Sequence, residues 1–160
     1  MIVKIFHWFT LINRRLYLSC HPQLWGKSIS INGIPLIANI ENIIFGKGLS
    51  LNEKVFIQGV GGVIIGNHVT LSYGCIILTS GLSTYNYVEN LKNERDHENS
   101  KVEIGDGVWV GACALILPGV KISSNIIIGA GSVVTKNLDQ SGWLYAGNPA
   151  KPIKRFLNDE

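Results

Sequence analysis

Along residues 104 to 134 an aliphatic side chain falls at every sixth position: Ile104, Val110, Ile116, Ile122, Ile128 and Val134 keep one register without a slip. The spacing occurs earlier at Phe45, Leu51 and Ile57 and, after a slip of two residues, at Ile65, Leu71 and Ile77. Neither the 3.6-residue period of a helix nor the alternation of a strand requires an invariant sixth residue. Four residues after each aliphatic position stands a second small or apolar residue, Val108, Ala114, Val120, Ile126 and Ser132, and the residue directly after it is often glycine, as at Gly105, Gly111 and Gly129. A short strand with inward side chains at its first position and again near a corner, followed by a turn where glycine tolerates unusual backbone angles, gives one flat side per repeat. Three sides close a triangular coil. Coils stacked strand over strand at ~4.8 Å bury a continuous aliphatic column that no repeat buries alone, so the pattern predicts an all-β parallel solenoid. Leu117, where a small residue is expected, predicts a local bulge toward Pro118 and Gly119.

Two segments depart from the period. Residues 82–100 are polar and predict one inserted loop. Ahead of the coils, MIVKIFHWFTLINRRLYLSC reads as a helix with Ile2, Ile5, Phe6, Phe9, Ile12 and Leu16 on one stripe. Lys4, Arg14 and Arg15 interrupt it well before the ~20 apolar residues of a membrane span, and it lacks a small-residue cleavage site. The stripe either packs on the body or a neighbouring subunit, or lies on a membrane surface with its aromatics and arginines at the interface. The expected organisation is an N-terminal helical segment over 1–27, a β-helical domain over 28–155 and a tail over 156–160.

A chain of 160 residues, 46% hydrophobic and 16% charged, can bury a substantial core as one folded unit. The net charge of +3 is small, and its basic residues are scattered apart from Arg14-Arg15 and the group Lys151, Lys154 and Arg155. That argues against nucleic acid and leaves anionic small molecules open. Cys20, Cys75 and Cys113 are odd in number and lack the pairing of a metal site, which fits a reducing, cytoplasmic setting and buried thiols better than a disulfide framework.

The stretches VEIGDGVWVGACALILPGVKI, IGAGSVVTK and AGNPAKPIKRF resemble the hexapeptide-repeat acyltransferases of the left-handed parallel β-helix fold, most of all the galactoside, maltose and polysaccharide O-acetyltransferase branch. The resemblance runs over roughly residues 28 to 155. It implies a left-handed coil, a homotrimer with grooves between neighbouring prisms, and acetyl-CoA lying along such a groove with its pantetheine arm parallel to the helix axis. It implies no metal. The activity it implies is acetyl transfer to a sugar hydroxyl, of a surface polysaccharide or its precursor, in the cytoplasm or at the inner face of the membrane.

Such a transfer needs a base for the hydroxyl proton, a donor for the tetrahedral oxyanion and a slot for the coenzyme. By resemblance, Ala112 holds the position whose backbone N–H faces the acetyl carbonyl, and Ala130 forms a further wall of the pantetheine slot. Thr135 and Lys136 match contacts near the coenzyme's far end, and Lys151 takes the place of a basic phosphate contact. Asn52 matches an acceptor-binding asparagine, although Val60 stands where its acidic partner is expected. Trp109 is either a wall of the acceptor site or a packing residue.

The base is a departure. In the galactoside branch a histidine follows the coil that precedes the loop, and this chain has Gly81-Leu82 there. His97, in ERDHENSKVEIG, resembles the acceptor-site histidine of RDH and REH loops in other branches. A neutral imidazole can serve as base at pH 7, with Asp96 or Glu98 to orient it. His68 is expected to point outward from a prism face, and His7 and His21 to be structural. Serine acetyltransferase is the alternative enzyme, lacking its upstream DH pair here. A non-catalytic scaffold or sugar binder is the alternative outside enzymes. Zinc carbonic anhydrases of the same architecture need three histidines, of which only His68 lies on a coil.

Overall fold

The structure, a computed structural model, describes residue 13, residues 16–85, residue 88 and residues 96–157. The stripe positions Ile2, Ile5, Phe6, Phe9 and Ile12, with His7 and the residues 158–160 of the tail, lie outside these. Strands are numbered along the chain. The first face stacks β1 (Ser30–Asn32), β4 (Ser50–Asn52), β7 (Thr70–Leu71), β12 (Trp109–Val110), β15 (Ile127–Ile128), β17 (Trp143–Ala146) and β18 (Lys151–Arg155). The second stacks β2 (Leu36–Ala38), β5 (Phe56–Gln58), β8 (Ile76–Ile77), β13 (Leu115–Ile116) and β16 (Val133–Val134). The third stacks β3 (Ile43–Phe45), β6 (Val63–Ile65), β11 (Val102–Ile104) and β14 (Lys121–Ile122). Pairing is parallel throughout these faces except between β17 and β18, where the chain turns back and closes the last coil.

Hexapeptide spacing sets this architecture because each aliphatic position lands on the inner side of a face. Ile104, Val110, Ile116, Ile122, Ile128 and Val134 are at most 2% exposed, and the second inward set, Val108, Ala114, Val120, Ile126 and Ser132, is buried with them. Each fully buried Ile or Leu contributes about 1.5–3 kcal/mol, so the column is the main source of stability. Leu117 makes no bulge: its N–H donates to the Val134 carbonyl at 3.0 Å, the ordinary ladder bond, and its side chain packs partly against the core.

The slip of two residues has a structural meaning. It falls between Ile57 and Ile65, at the corner joining the second face to the third, and the first coil has the same eight-residue step from Ile37 to Phe45. The inserted loop leaves from this corner one coil later. It begins in an antiparallel hairpin of β9 (Ser80–Leu82) and β10 (His97–Asn99), two residues ahead of the boundary expected from polarity. A buried latch holds the root: Thr79 donates its hydroxyl to the Gln58 carbonyl at 2.7 Å and accepts the Gly61 N–H at 2.9 Å. The Gln58 Oε1 accepts the N–H groups of Thr79 and Ser80 at 3.2 and 3.1 Å.

His68 does not stand on a face. It occupies the corner between the third and first faces with φ +55°, and its ring lies so close to Gly48 that a Cβ there would meet Nδ1 at 2.5 Å. At the other end of the described chain, Tyr17 and Leu18 pack on the core. His21 donates Nδ1–H to the Tyr17 carbonyl at 2.7 Å and stacks on its ring at 4.2 Å, a structural role. Leu16 is 57% exposed. No helix among the described residues is long and apolar enough to cross a membrane.

Candidate active site

The corner between the first and second faces is a stack of tight turns. Gly111 accepts from the Ala114 N–H at 3.2 Å, Cys113 has φ +56° and Ala112 has negative φ, which together define a type II turn with Ala112 at its second position. Gly129–Ser132 repeats it one coil on, with Gly131 at φ +67°, and Ser72–Cys75 one coil before, with Gly74 at φ +64°. In this geometry the peptide N–H at the second position faces outward. Neither the Ala112 N–H nor the Ala130 N–H meets an acceptor among the described residues. The two turns nest closely, since a Cβ on Gly111 would stand 2.6 Å from the Ala130 nitrogen.

Side-chain size along this corner changes abruptly. The strand register puts Glu53, Tyr73, Ala112 and Ala130 in one column. The corner is therefore bulky at the first two positions and open at the alanines. Tyr73, 45% exposed, roofs the open part, with the Lys54 ammonium 5.2 Å from its ring centroid. The hydrogen bond to Tyr73 holds the Lys54 pKa above the ordinary lysine value. Sequence reasoning did not single out Tyr73; its signal was its turn position one coil before Ala112. Lys151 lies just past the next turn of the same corner, paired with Ala146.

The first face supplies the neighbouring wall. Trp109 is 52% exposed and donates its indole N–H to the Ser72 hydroxyl at 2.9 Å, which pins the ring across the outer surface rather than in the core. Asn52 stands on the same surface, its amide donating to the Leu71 carbonyl at 2.9 Å and leaving Oδ1 outward. Val60 lies at the opposite corner and cannot partner Asn52.

His97 lies elsewhere in the chain. It is directly opposite Leu82 in the hairpin, exposed, at the corner between the second and third faces. Glu98 projects from the other side of the strand, where it accepts the Ser83 hydroxyl, so it does not orient His97. The Asp96 carbonyl accepts the Ser83 N–H at 2.9 Å. Thr135 and Lys136 are exposed at this same corner two coils on. One chain thus gathers Ala112, Ala130, Lys151, Asn52 and Trp109 around one corner, and His97, Thr135 and Lys136 around another, roughly 15 Å away across the second face. No cluster of three potential metal ligands exists among the described residues.

Residues 101–136 match the family model described as bacterial transferase hexapeptide (six repeats). The galactoside O-acetyltransferase of Lactococcus lactis subsp. lactis is 38% identical over 93 residues, 58% of this chain and 42% of that protein, so the chain spans less than half the length of this curated relative. Among solved structures, a maltose O-acetyltransferase from Clostridium difficile 630 superposes with a TM-score of 0.75 at 32% identity, over 82% of this chain and 68% of that one. A galactoside acetyltransferase in complex with coenzyme A superposes with a TM-score of 0.67 at 27% identity, over 81% and 64%. With its uninterrupted hexapeptide column, three parallel faces and this agreement in sequence and fold, the chain belongs to the hexapeptide-repeat acyltransferase family.

Proposed function

We propose that this protein is an acetyl-CoA-dependent O-acetyltransferase acting on a sugar hydroxyl of a surface polysaccharide or its precursor. The observation that carries the reading is the free Ala112 N–H on an outward type II turn, in the stretch of corner that small side chains leave open beneath Tyr73. The names of the relatives, galactoside and maltose O-acetyltransferases, support the acceptor class. Acetyl-CoA lies along the Ala112–Ala130 corner, with Lys151 toward its phosphates and Thr135 and Lys136 contributed by a neighbouring copy.

The chemistry follows from the roles. The His97 imidazole takes the proton of the acceptor hydroxyl as its oxygen attacks the thioester carbonyl carbon. The oxyanion of the tetrahedral intermediate accepts the Ala112 N–H, a main-chain donor that needs no reorganisation. Collapse breaks the C–S bond, and the imidazolium returns the proton to the departing thiolate. Asn52 and Trp109 hold the acceptor.

His97 and the corner of Ala112 lie on opposite edges of the second face, so one copy cannot perform this sequence. A homotrimer, in which the hairpin of one copy reaches the corner of the next, supplies both groups. The outer side of the second face supports it, with Leu36, Phe56, Ile76, Leu115 and Val133 in register as an aliphatic wall suited to a neighbouring copy. The enzyme works in the cytoplasm, with its N-terminal segment available to the inner face of the membrane. The test is to incubate the protein and labelled acetyl-CoA with sugars, nucleotide sugars, oligosaccharides and serine, and to identify the acetylated product by mass. Leu82 at the position of the usual histidine favours a second reading, a sugar-binding protein without turnover. That reading is selected if saccharides bind and no acceptor is acetylated.

A further inference from the structure

The three outer surfaces differ in chemistry. The second face is aliphatic, and the third carries Glu103 bridged to Lys101 at 2.7 Å and to Lys121 at 3.3 Å. The first face carries neither: among its described strands β1, β4, β7, β12 and β15, no outward side chain is charged. Instead, hydroxyls and amides fall in two in-register columns. Ser50 and Thr70 run toward Trp109 in one, and Asn32, Asn52 and Ser72 form the other. Asn32 donates to the Ser50 hydroxyl at 3.2 Å, and Ser72 accepts from the Trp109 indole at 2.9 Å. These internal bonds fix the side chains and still leave the Asn52 Oδ1 as an acceptor and the Ser72 and Thr70 hydroxyls as donors.

We infer that this surface is an extended binding tract for an uncharged saccharide chain of three or more units, an inference that rests on the acetyltransferase reading and names its acceptor more narrowly. A pyranose presents an apolar ring face and a rim of hydroxyls, which match the half-exposed indole and the flanking hydroxyl and amide columns. From β1 to β12 the tract crosses three strand spacings of ~4.8 Å, about 14 Å in all, the length of about three sugar units at about 5 Å each. Its Trp109 end lies beside the turn of Ala112, so a chain anchored along the tract presents a terminal or near-terminal unit to the acetyl group. The face holds no cation, so a carboxylate brought onto it would lose water and gain no partner, and anionic saccharides are rejected.

The test is binding to a panel of immobilised neutral and anionic saccharides of one to six units, with the intact protein and, in the same preparation, calorimetry with acetyl-CoA. The expected bound set is neutral, with affinity rising at least tenfold from one unit to three or four. Ser50→Lys and Trp109→Ala each lower that affinity at least tenfold, while Lys121→Ser on the third face leaves it unchanged. The inference is overturned if no saccharide binds, if affinity is flat with length, if anionic chains bind as well as neutral ones, or if the two variants bind like wild type. In each of those cases tight acetyl-CoA binding leaves the acetyltransferase reading standing, and its loss removes that reading separately.

Discussion

Leu82 and His97 are direct cross-strand partners in the hairpin that leaves the third coil. The flanking bonds, Ser83 N–H to Asp96 carbonyl and Ser100 N–H to Thr79 carbonyl, alternate so that this pair is a non-hydrogen-bonded one, with both side chains on one surface and close together. A histidine missing from the outgoing strand is therefore replaced by one on the returning strand, at the same height and on the same side.

The swap is testable. His97→Ala should lower kcat by ~10²–10⁴ with acetyl-CoA binding retained, the usual scale of general-base catalysis. Exchanging the two residues, Leu82→His with His97→Leu, should recover at least ~10-fold of that loss, because the imidazole stays on the same surface one strand over. If the exchanged protein is as dead as His97→Ala while still folded, position and not mere presence of the ring is decisive, and the relocation argument fails.

Ala112→Pro probes the oxyanion donor without changing the turn. Proline is favoured at the second position of a type II turn and deletes only the N–H. The expected result is a thermal midpoint within a few degrees of wild type and kcat lower by ~10²–10³, the cost of one lost oxyanion donor. Normal turnover in the folded variant removes Ala112 from the mechanism.

The latch at Thr79 ties the loop to the coils. Thr79→Val keeps the volume but leaves the Gly61 N–H and the Gln58 carbonyl without their partner, which should cost about 1–3 kcal/mol in urea unfolding. Lys121→Ser, on the exposed third face, should change stability far less. A Thr79→Val protein as stable as wild type would mean that the root is held by the backbone alone.

The column from Ile104 to Val134 was legible because one period imposed the same environment on every sixth residue, and the coils had no alternative way to bury those side chains. Asn52 and Trp109 were legible as candidates by resemblance, and strand register then put them on one surface. The hairpin was not legible. Its strands are exposed on both sides, so no alternation of apolar and polar residues marked β9 and β10, and the pairing of Leu82 with His97 depends on a root that Gln58 fixes from the previous coil. Tyr73 escaped for a related reason: it carries no motif, and its role as a roof depends only on stacking over Ala112. The corner position of His68 was missed because its left-handed backbone, usual for glycine, is taken here by histidine beside Gly48.

The thiols report on the same corner. Cys75 is buried against the core and burial, aided by Cys113, pushes its thiol up to about 12, whereas Cys20 and Cys113 are exposed. With a disulfide reagent at pH 8, Cys20 and Cys113 should react in the folded protein and Cys75 only on unfolding. The raised value also fixes a sign: between the ordinary thiol range near 9.0 and about 12, the unfolded chain ionises Cys75 before the folded one does. Its contribution to stability is thus complete below that window and lost as pH rises through it. Cys113 follows Ala112 in the turn, so acetyl-CoA seated on the Ala112 N–H should cover it. Saturating acetyl-CoA is expected to slow modification of Cys113 at least ~10-fold, and peptide mass mapping should find Cys20 unaffected. Equal rates at Cys113 with and without bound coenzyme would put the thioester somewhere other than this corner.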